Sequence, residues 1–259
     1  MKKDSPMYKA YSVNFNLQKD TSYQTGQELY SNMKHKIDRK LRHFYKDGVL
    51  DGAKLSKEWF PEINADIFLS HSHKDIDTAI ELAGWLYEKQ RIVCFIDSCV
   101  WGYADELLKA IDEKYSKNNK DDEFFNYELR NRSTAHVHMM LTVALAKMMY
   151  NCECLFFLNT PNSILPKDSV KEQTLSPWIY TERSMIQLIE KRNVNEHRRI
   201  QENFSRSIDS LKIAYDVPDL PELKFETMAK WLNLDFGNKF KALDYLYLYG
   251  ENEKGVIYG

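Results

Sequence analysis

Three short apolar runs constrain this chain more than any other feature. They are Asp66-Ile-Phe-Leu-Ser70, Ile92-Val-Cys-Phe-Ile96 and Cys154-Leu-Phe-Phe-Leu158. None alternates polar with apolar residues, so each reads as a strand covered on both faces. Helical periods separate them. Ile76, Ala79, Ile80, Ala83, Leu86 and Tyr87 recur at spacings of three and four after the first run. Leu107, Leu108, Ile111 and Tyr115 do so after the second, and Val137, Met140, Leu141, Ala144, Leu145 and Met148 lead into the third. Short buried strands alternating with helices predict βαβ units and a central parallel sheet flanked by helices.

The remaining segments are arranged around that unit. Residues 1 to about 22 show no clear period. From Gly26 to Tyr45, the residues Leu29, Met33, Ile37, Leu41 and Phe44 describe an amphipathic helix, and Asp47-Gly48 and Asp51-Gly52 are turn signals. Residues 1–62 are therefore expected as an N-terminal helical extension, and 63–259 as the main domain. The stretch 117–132 is dense in charge and asparagine, the composition of an exposed insertion. Pro161 and Pro166 break the segment 159–176, Pro177 follows it, and a helix is predicted from Trp178 to Glu190. Leu211 to Tyr215 reads as a fourth strand, and helices over 225–232 and 239–249 follow.

Composition excludes several classes of function. Of 259 residues, 43% are hydrophobic and 29% charged, enough for a core and too polar for a membrane protein. The net charge of −2 supplies no field to draw nucleic acid or an anionic membrane. Two basic runs, Lys34 to Arg42 and Lys191 to Arg199, read as solvated helix faces. Of the four cysteines, Cys94, Cys152 and Cys154 lie in apolar runs, and zinc is not expected because Cys152-x-Cys154 is too tight for the usual pair and no second pair follows. No secretory h-region opens the chain, so a reduced, cytoplasmic location is expected without metal or bound cofactor.

In an open parallel sheet, ligands bind outside the carboxyl ends of the strands. The loops predicted there are His71 to Asp75, Asp97 to Tyr103, and Asn159 to Pro177. Glu182 lies in the first turns of the helix after the third loop, with Trp178 four residues earlier on the same face. No Gly-x-Gly-x-x-Gly, Walker or Gly-x-Ser-x-Gly sequence follows a strand, which leaves dinucleotide folds, P-loop enzymes and serine hydrolases unsupported. His136 and His138 stand two apart on a predicted helix, where they point in different directions and read as ordinary helix residues.

Taken in order, four stretches resemble the TIR (Toll/interleukin-1 receptor) family. Asp66-Ile-Phe-Leu-Ser-His-Ser-His-Lys-Asp75 is similar to its first strand and following loop. Val93-Cys-Phe-Ile-Asp97 with Trp101-Gly-Tyr-Ala-Asp-Glu-Leu-Leu108 is similar to its second strand and BB loop. Leu155-Phe-Phe-Leu-Asn-Thr160 resembles a further strand, and Ser176-Pro-Trp-Ile-Tyr-Thr-Glu182 the stretch in which enzymatic members carry a catalytic glutamate. Many members have Tyr and Arg where this chain has His71-Ser72-His73, and the first 60 residues and the 117–132 insertion have no counterpart in a minimal TIR domain.

The resemblance implies a flavodoxin-like fold and cleavage of NAD+ between nicotinamide and ribose, with NAD+ as substrate. It assigns catalysis to Glu182 and substrate contacts to His71, Ser72, Lys74, Asp97, Trp101 and Trp178. Nicotinamide leaves a cationic ring as a neutral molecule, so one carboxylate suffices where most glycosidases need two. The product is ADP-ribose or a cyclic isomer. By analogy with bacterial antiphage members, such as the signal-producing subunit of Thoeris systems, a downstream effector senses it and the chain self-associates. Two other readings stay open: a non-catalytic TIR interaction module using residues 98–105 and the N-terminal helix, and a relative of nucleoside deoxyribosyltransferases.

Overall fold

A computed structural model describes residues 9–15, 21–33, 41–46, 49–117, 124–164, 173–174, 176–188, 215–216 and 220–249. Its centre is a parallel sheet of five strands: β1 (Lys9–Val13), β4 (Ile67–Ser70), β5 (Cys94–Ile96), β6 (Cys154–Leu158) and β9 (Glu222–Leu223). The spatial order is β5-β4-β6-β1-β9. All five residues of β6 are buried, which is why its apolar run shows no alternation.

Two cores result from the pleat. Ile67, Leu69, Cys94, Ile96, Phe156 and Leu158 face a cluster with α3 (Ile76–Gln90), α7 (Phe225–Leu232) and α8 (Lys239–Tyr249). Phe68, Phe95, Leu155 and Phe157, one residue out of step, face α2 (Gly52–Trp59), α4 (Ser98–Tyr115), α5 (Tyr127–Asn151) and α6 (Pro177–Leu188). Each fully buried large apolar side chain contributes about 1.5–3 kcal/mol relative to exposure. Two minor antiparallel pairs complete the element list: β2 (Tyr45–Lys46) with β3 (Val49–Leu50), and β7 (Gln173–Thr174) with β8 (Tyr215–Asp216).

The predicted α/β class with a parallel sheet and flanking helices is what the chain adopts, in a flavodoxin-like arrangement. Several details differ. Residues 1–62 are more than a helical extension: β1 pairs with β6 over five residues and with β9 on its other side. That places an N-terminal strand inside the sheet, where the parallel pairing of Tyr11 and Val13 buries both fully. Helix α1 (Thr21–Met33) covers the same N-terminal region and packs on α3. Of the predicted helix 26–45, residues 34–40 lie outside the described residues and Leu41–Phe44 is a 3-10 turn.

The expected fourth strand, 211–215, is described only at its last residue. Residues 211–214 lie outside the described residues, and Tyr215–Asp216 pairs antiparallel with β7. The 117–132 insertion is in part helix, because Asn126 accepts from the backbone N–H groups of Glu128 and Leu129 and starts α5 at Tyr127. The basic run 191–199 and residues 189–190 also lie outside the described residues. No helix among the described residues is long and apolar enough to cross a membrane.

Candidate functional site

Strand β4 has neighbours on both sides, so its last residue, Ser70, is held in the ladder against Phe157. The chain then leaves the sheet through His71 and Ser72 into a short 3-10 turn, His73–Asp75, that opens α3. Asp75 fixes this turn to the segment after β6: Thr160 Oγ1 donates to Asp75 Oδ2 at 2.5 Å, and Asn162 Nδ2 donates to Asp75 Oδ1 at 2.7 Å. The loops at the carboxyl ends of β4 and β6 thus form one braced edge. Helix α3 runs from β4 onto one face of the sheet and α6 follows β6 onto the other. A crevice between such diverging connections is where ligands bind in this architecture.

The segment after β5 departs from expectation. Residues 97–103, expected as a loop, are helical from Ser98, and Asp97 itself has φ −57° and ψ −33°. The reason is periodicity. Val100, Tyr103, Ala104, Leu107 and Ile111 are all buried at helical spacing, so the apolar stripe of α4 extends back to the strand. Gly102 sits within that helix with open space where a side chain would project, so no turn requires it. Trp101 is therefore carried by a rigid helix.

A pocket of about 390 Å³ lies at this edge. Five of the sequence-predicted residues line it: His71, Ser72 and Lys74 from the β4 loop, Trp101 from α4 and Trp178 from α6. One wall is a stack. Trp101 stacks with both His71 and His73, with ring centroids 5.5 and 5.6 Å away and interplanar angles of 14° and 22°. On another wall His138 meets Trp178 edge to face at 5.5 Å.

His138 corrects the expectation that it is an ordinary helix residue, for it joins the lining with Leu141 from the next turn of α5. Its sequence neighbourhood carried no signal, because only the packing of α5 against α4 and α6 brings it to this edge. His73, Asp105 and Ser176 are further lining residues outside the predicted set. His73 was findable in principle, being one residue from two predicted contacts.

Glu182 and Asp97 do not line the pocket. They form a buried polar chain behind it. Glu182 is 1% exposed, and Asp97 and His71 are 0%. Ser70 Oγ donates to Glu182 Oε2 at 2.6 Å. Asp97 is near enough to act electrostatically on the same carboxyl, and His71 Nδ1 lies 2.6 Å from Asp97 Oδ1. The chain thus runs Ser70, Glu182, Asp97, His71, and reaches the pocket only at His71.

Burial holds the Glu182 carboxyl well above its ordinary value, and the adjacent Asp97 charge pushes it further in the same direction. The Ser70 hydrogen bond opposes both and does not overcome them. Burial and the neighbouring Asp97 thus both favour the protonated form of Glu182. Burial likewise raises the Cys94, Cys152 and Cys154 thiols, which makes them unreactive core residues. No group of three or more His, Cys, Asp or Glu among the described residues could hold a metal ion. Comparisons with protein-family profiles, with curated proteins and with solved structures gave no match.

Proposed function

We propose that this chain cleaves NAD+ at the nicotinamide–ribose bond, giving ADP-ribose or a cyclic isomer, with Glu182 as the catalytic carboxylate. The observation that carries the proposal is the buried acid pair, Glu182 and Asp97, directly behind an aromatic pocket at the carboxyl edge of the sheet. A carboxyl forced neutral by burial and a second acid costs stability, and such arrangements concentrate where chemistry needs them. The pocket supports the same reading. Two indoles and three imidazoles offer stacking surfaces for a base or nicotinamide ring, and Lys74 offers a cation to the phosphates.

The reaction has a consistent electrostatic course. NAD+ brings a cationic pyridinium ring, and the transition state is an oxocarbenium ion. Positive charge entering the pocket draws the Glu182 acid back toward ionisation, because an opposite charge favours the carboxylate. The carboxylate then stabilises the developing cation, while nicotinamide departs neutral without a general acid. For this the wall formed by His71 and Trp101 must shift so that Glu182 meets the ribose. We extend the proposal, on the family resemblance, to a signalling role in antiphage defence, with self-association as trigger and an effector that senses the product.

A second reading is favoured by one observation: Glu182 is enclosed and bonded to Ser70, as a purely structural acid would be. On that reading the chain is a non-catalytic interaction module. Chromatography of nucleotide products separates the two. Concentrated, self-associating protein should release nicotinamide from NAD+, and Glu182→Ala and Glu182→Gln should both abolish it. Glutamine mimics the neutral acid that Ser70 binds. An active Glu182→Gln variant, or no nicotinamide release from the unaltered chain at any concentration, would overturn the catalytic assignment.

A further inference from the structure

The buried chain ends on a histidine whose two ring nitrogens have different surroundings. His71 Nδ1 is within 2.6 Å of Asp97 Oδ1. Neither ring nitrogen completes a hydrogen bond of regular geometry with the described residues, so the Nδ1–Asp97 approach is an ion-pair contact, and the fully buried ring lines the pocket. A buried polar atom without a partner costs about 1–3 kcal/mol, so its persistence calls for an explanation. A carboxylate oxygen 2.6 Å from Nδ1 favours the tautomer protonated there and leaves the Nε2 lone pair as the acceptor. The stack with Trp101, and the bracing of the β4 loop by Asp75, keep the ring from turning.

We infer that His71 is the proton acceptor for the attacking nucleophile and that Asp97 is its positioning residue. The inference rests on the NAD+-cleaving reading above and adds a second acting group to it. The step balances as follows. The C1′–N bond breaks with its electron pair on nicotinamide. An oxygen of water, or a nucleophilic atom of the bound nucleotide, forms the new bond to C1′. The proton it carries passes to His71 Nε2 and then to solvent. The labour is divided: once the wall has shifted, Glu182 acts on the cationic carbon and His71 on the incoming group. Neither the spacing of residues nor the resemblance singles out His71 for this task. It follows from the contact with Asp97 and the unoccupied acceptor nitrogen.

The test compares the unaltered chain with His71→Asn, whose amide can still donate to Asp97 but cannot take a proton. A second variant, His71→Phe, retains the ring stacked on Trp101. Both are first checked for folding by thermal melting, and for binding of ADP-ribose by quenching of Trp101 and Trp178 fluorescence. Removing a general base should lower kcat by about 100- to 10,000-fold, far more than it weakens ADP-ribose binding. Imidazole added to a His71→Gly variant should restore part of the lost rate, which a purely structural role would not allow.

Turnover near that of the unaltered chain in folded His71→Asn, with Glu182→Ala inactive, would overturn the base assignment and leave the NAD+ reading standing. Absence of nicotinamide release from the unaltered chain removes the reaction itself, and the inference with it. Asp97→Asn should also lower kcat, but it touches Glu182 as well, so the decision rests on the His71 variants.

Discussion

Glu182 shows how far a residue's chemistry depends on its enclosure. Its ordinary value of 4.5 applies to the unfolded chain, and in the folded chain burial and Asp97 raise it. The folded state therefore holds the proton more tightly. Glu182's contribution to stability is full below the unfolded value and is lost as pH rises through the folded one. Glutamine at 182 has no proton to lose. The melting temperature of Glu182→Gln relative to the unaltered chain should thus climb as pH rises above the ordinary value of 4.5 and the acid is forced to ionise. A difference independent of pH above that value would show that the carboxyl is not held neutral. Ser70→Ala should act in the opposite direction to ionisation. It removes the one contact that favours the carboxylate and should push the acid still higher, a change that a carboxyl-selective NMR titration can follow.

At the level of elements, the closest fit in the molecule is between α1 and α3. A Cβ built at Gly84 would lie 1.8 Å from the carbonyl oxygen of Ser22, and one at Gly26 would lie 1.9 Å from that of Ile80. Both neighbours are backbone, so neither can move aside. The glycines set the distance between the helices, and side chains then fasten them: Ser22 Oγ and Thr25 Oγ1 donate to the two oxygens of Glu88 at 2.8 and 2.5 Å. Gly84→Ala should destabilise by about 3 kcal/mol or more, beyond ordinary overpacking. That corresponds to a melting temperature lower by roughly 6–12 °C. Glu88→Gln, which weakens the fastening without altering the spacing, should cost far less. Comparable melts for the two variants would show that the hydrogen bonds, and not the close approach, hold α1 in place.

For the molecule as a whole, the position of β1 matters most. It lies between β6 and β9, so removing it would expose the edges of both strands and the Tyr11 and Val13 faces of the core. A chain beginning at residue 63, the boundary that composition suggests, should fail to unfold cooperatively and should aggregate through the unpaired edges. A soluble, cooperatively melting 63–259 fragment would show that β1 is an accessory strand. The same topology governs the site. Because β4 and β6 are neighbours, the loops bearing His71 and Thr160 meet across Asp75, which braces the β4 loop that lines one side of the pocket.

Much of this was readable in the residues. Continuous apolar runs of five allow little besides strands buried on both faces, and helices between them force parallel pairing, so the class and the ligand edge follow from local pattern. The prediction of His71, Ser72, Lys74, Trp101 and Trp178 at one edge needed no more than that. What local pattern could not carry was anything dependent on contacts distant along the chain. The place of β1 in the sheet depends on hydrogen bonds to residues more than 140 positions away. The arrival of His138 depends on how α5 packs, and the withdrawal of Glu182 behind the wall depends on Ser70, 112 residues earlier in the chain. Periodicity records which face of an element avoids water, whereas the identity of the neighbour across that face is settled only when the elements pack together.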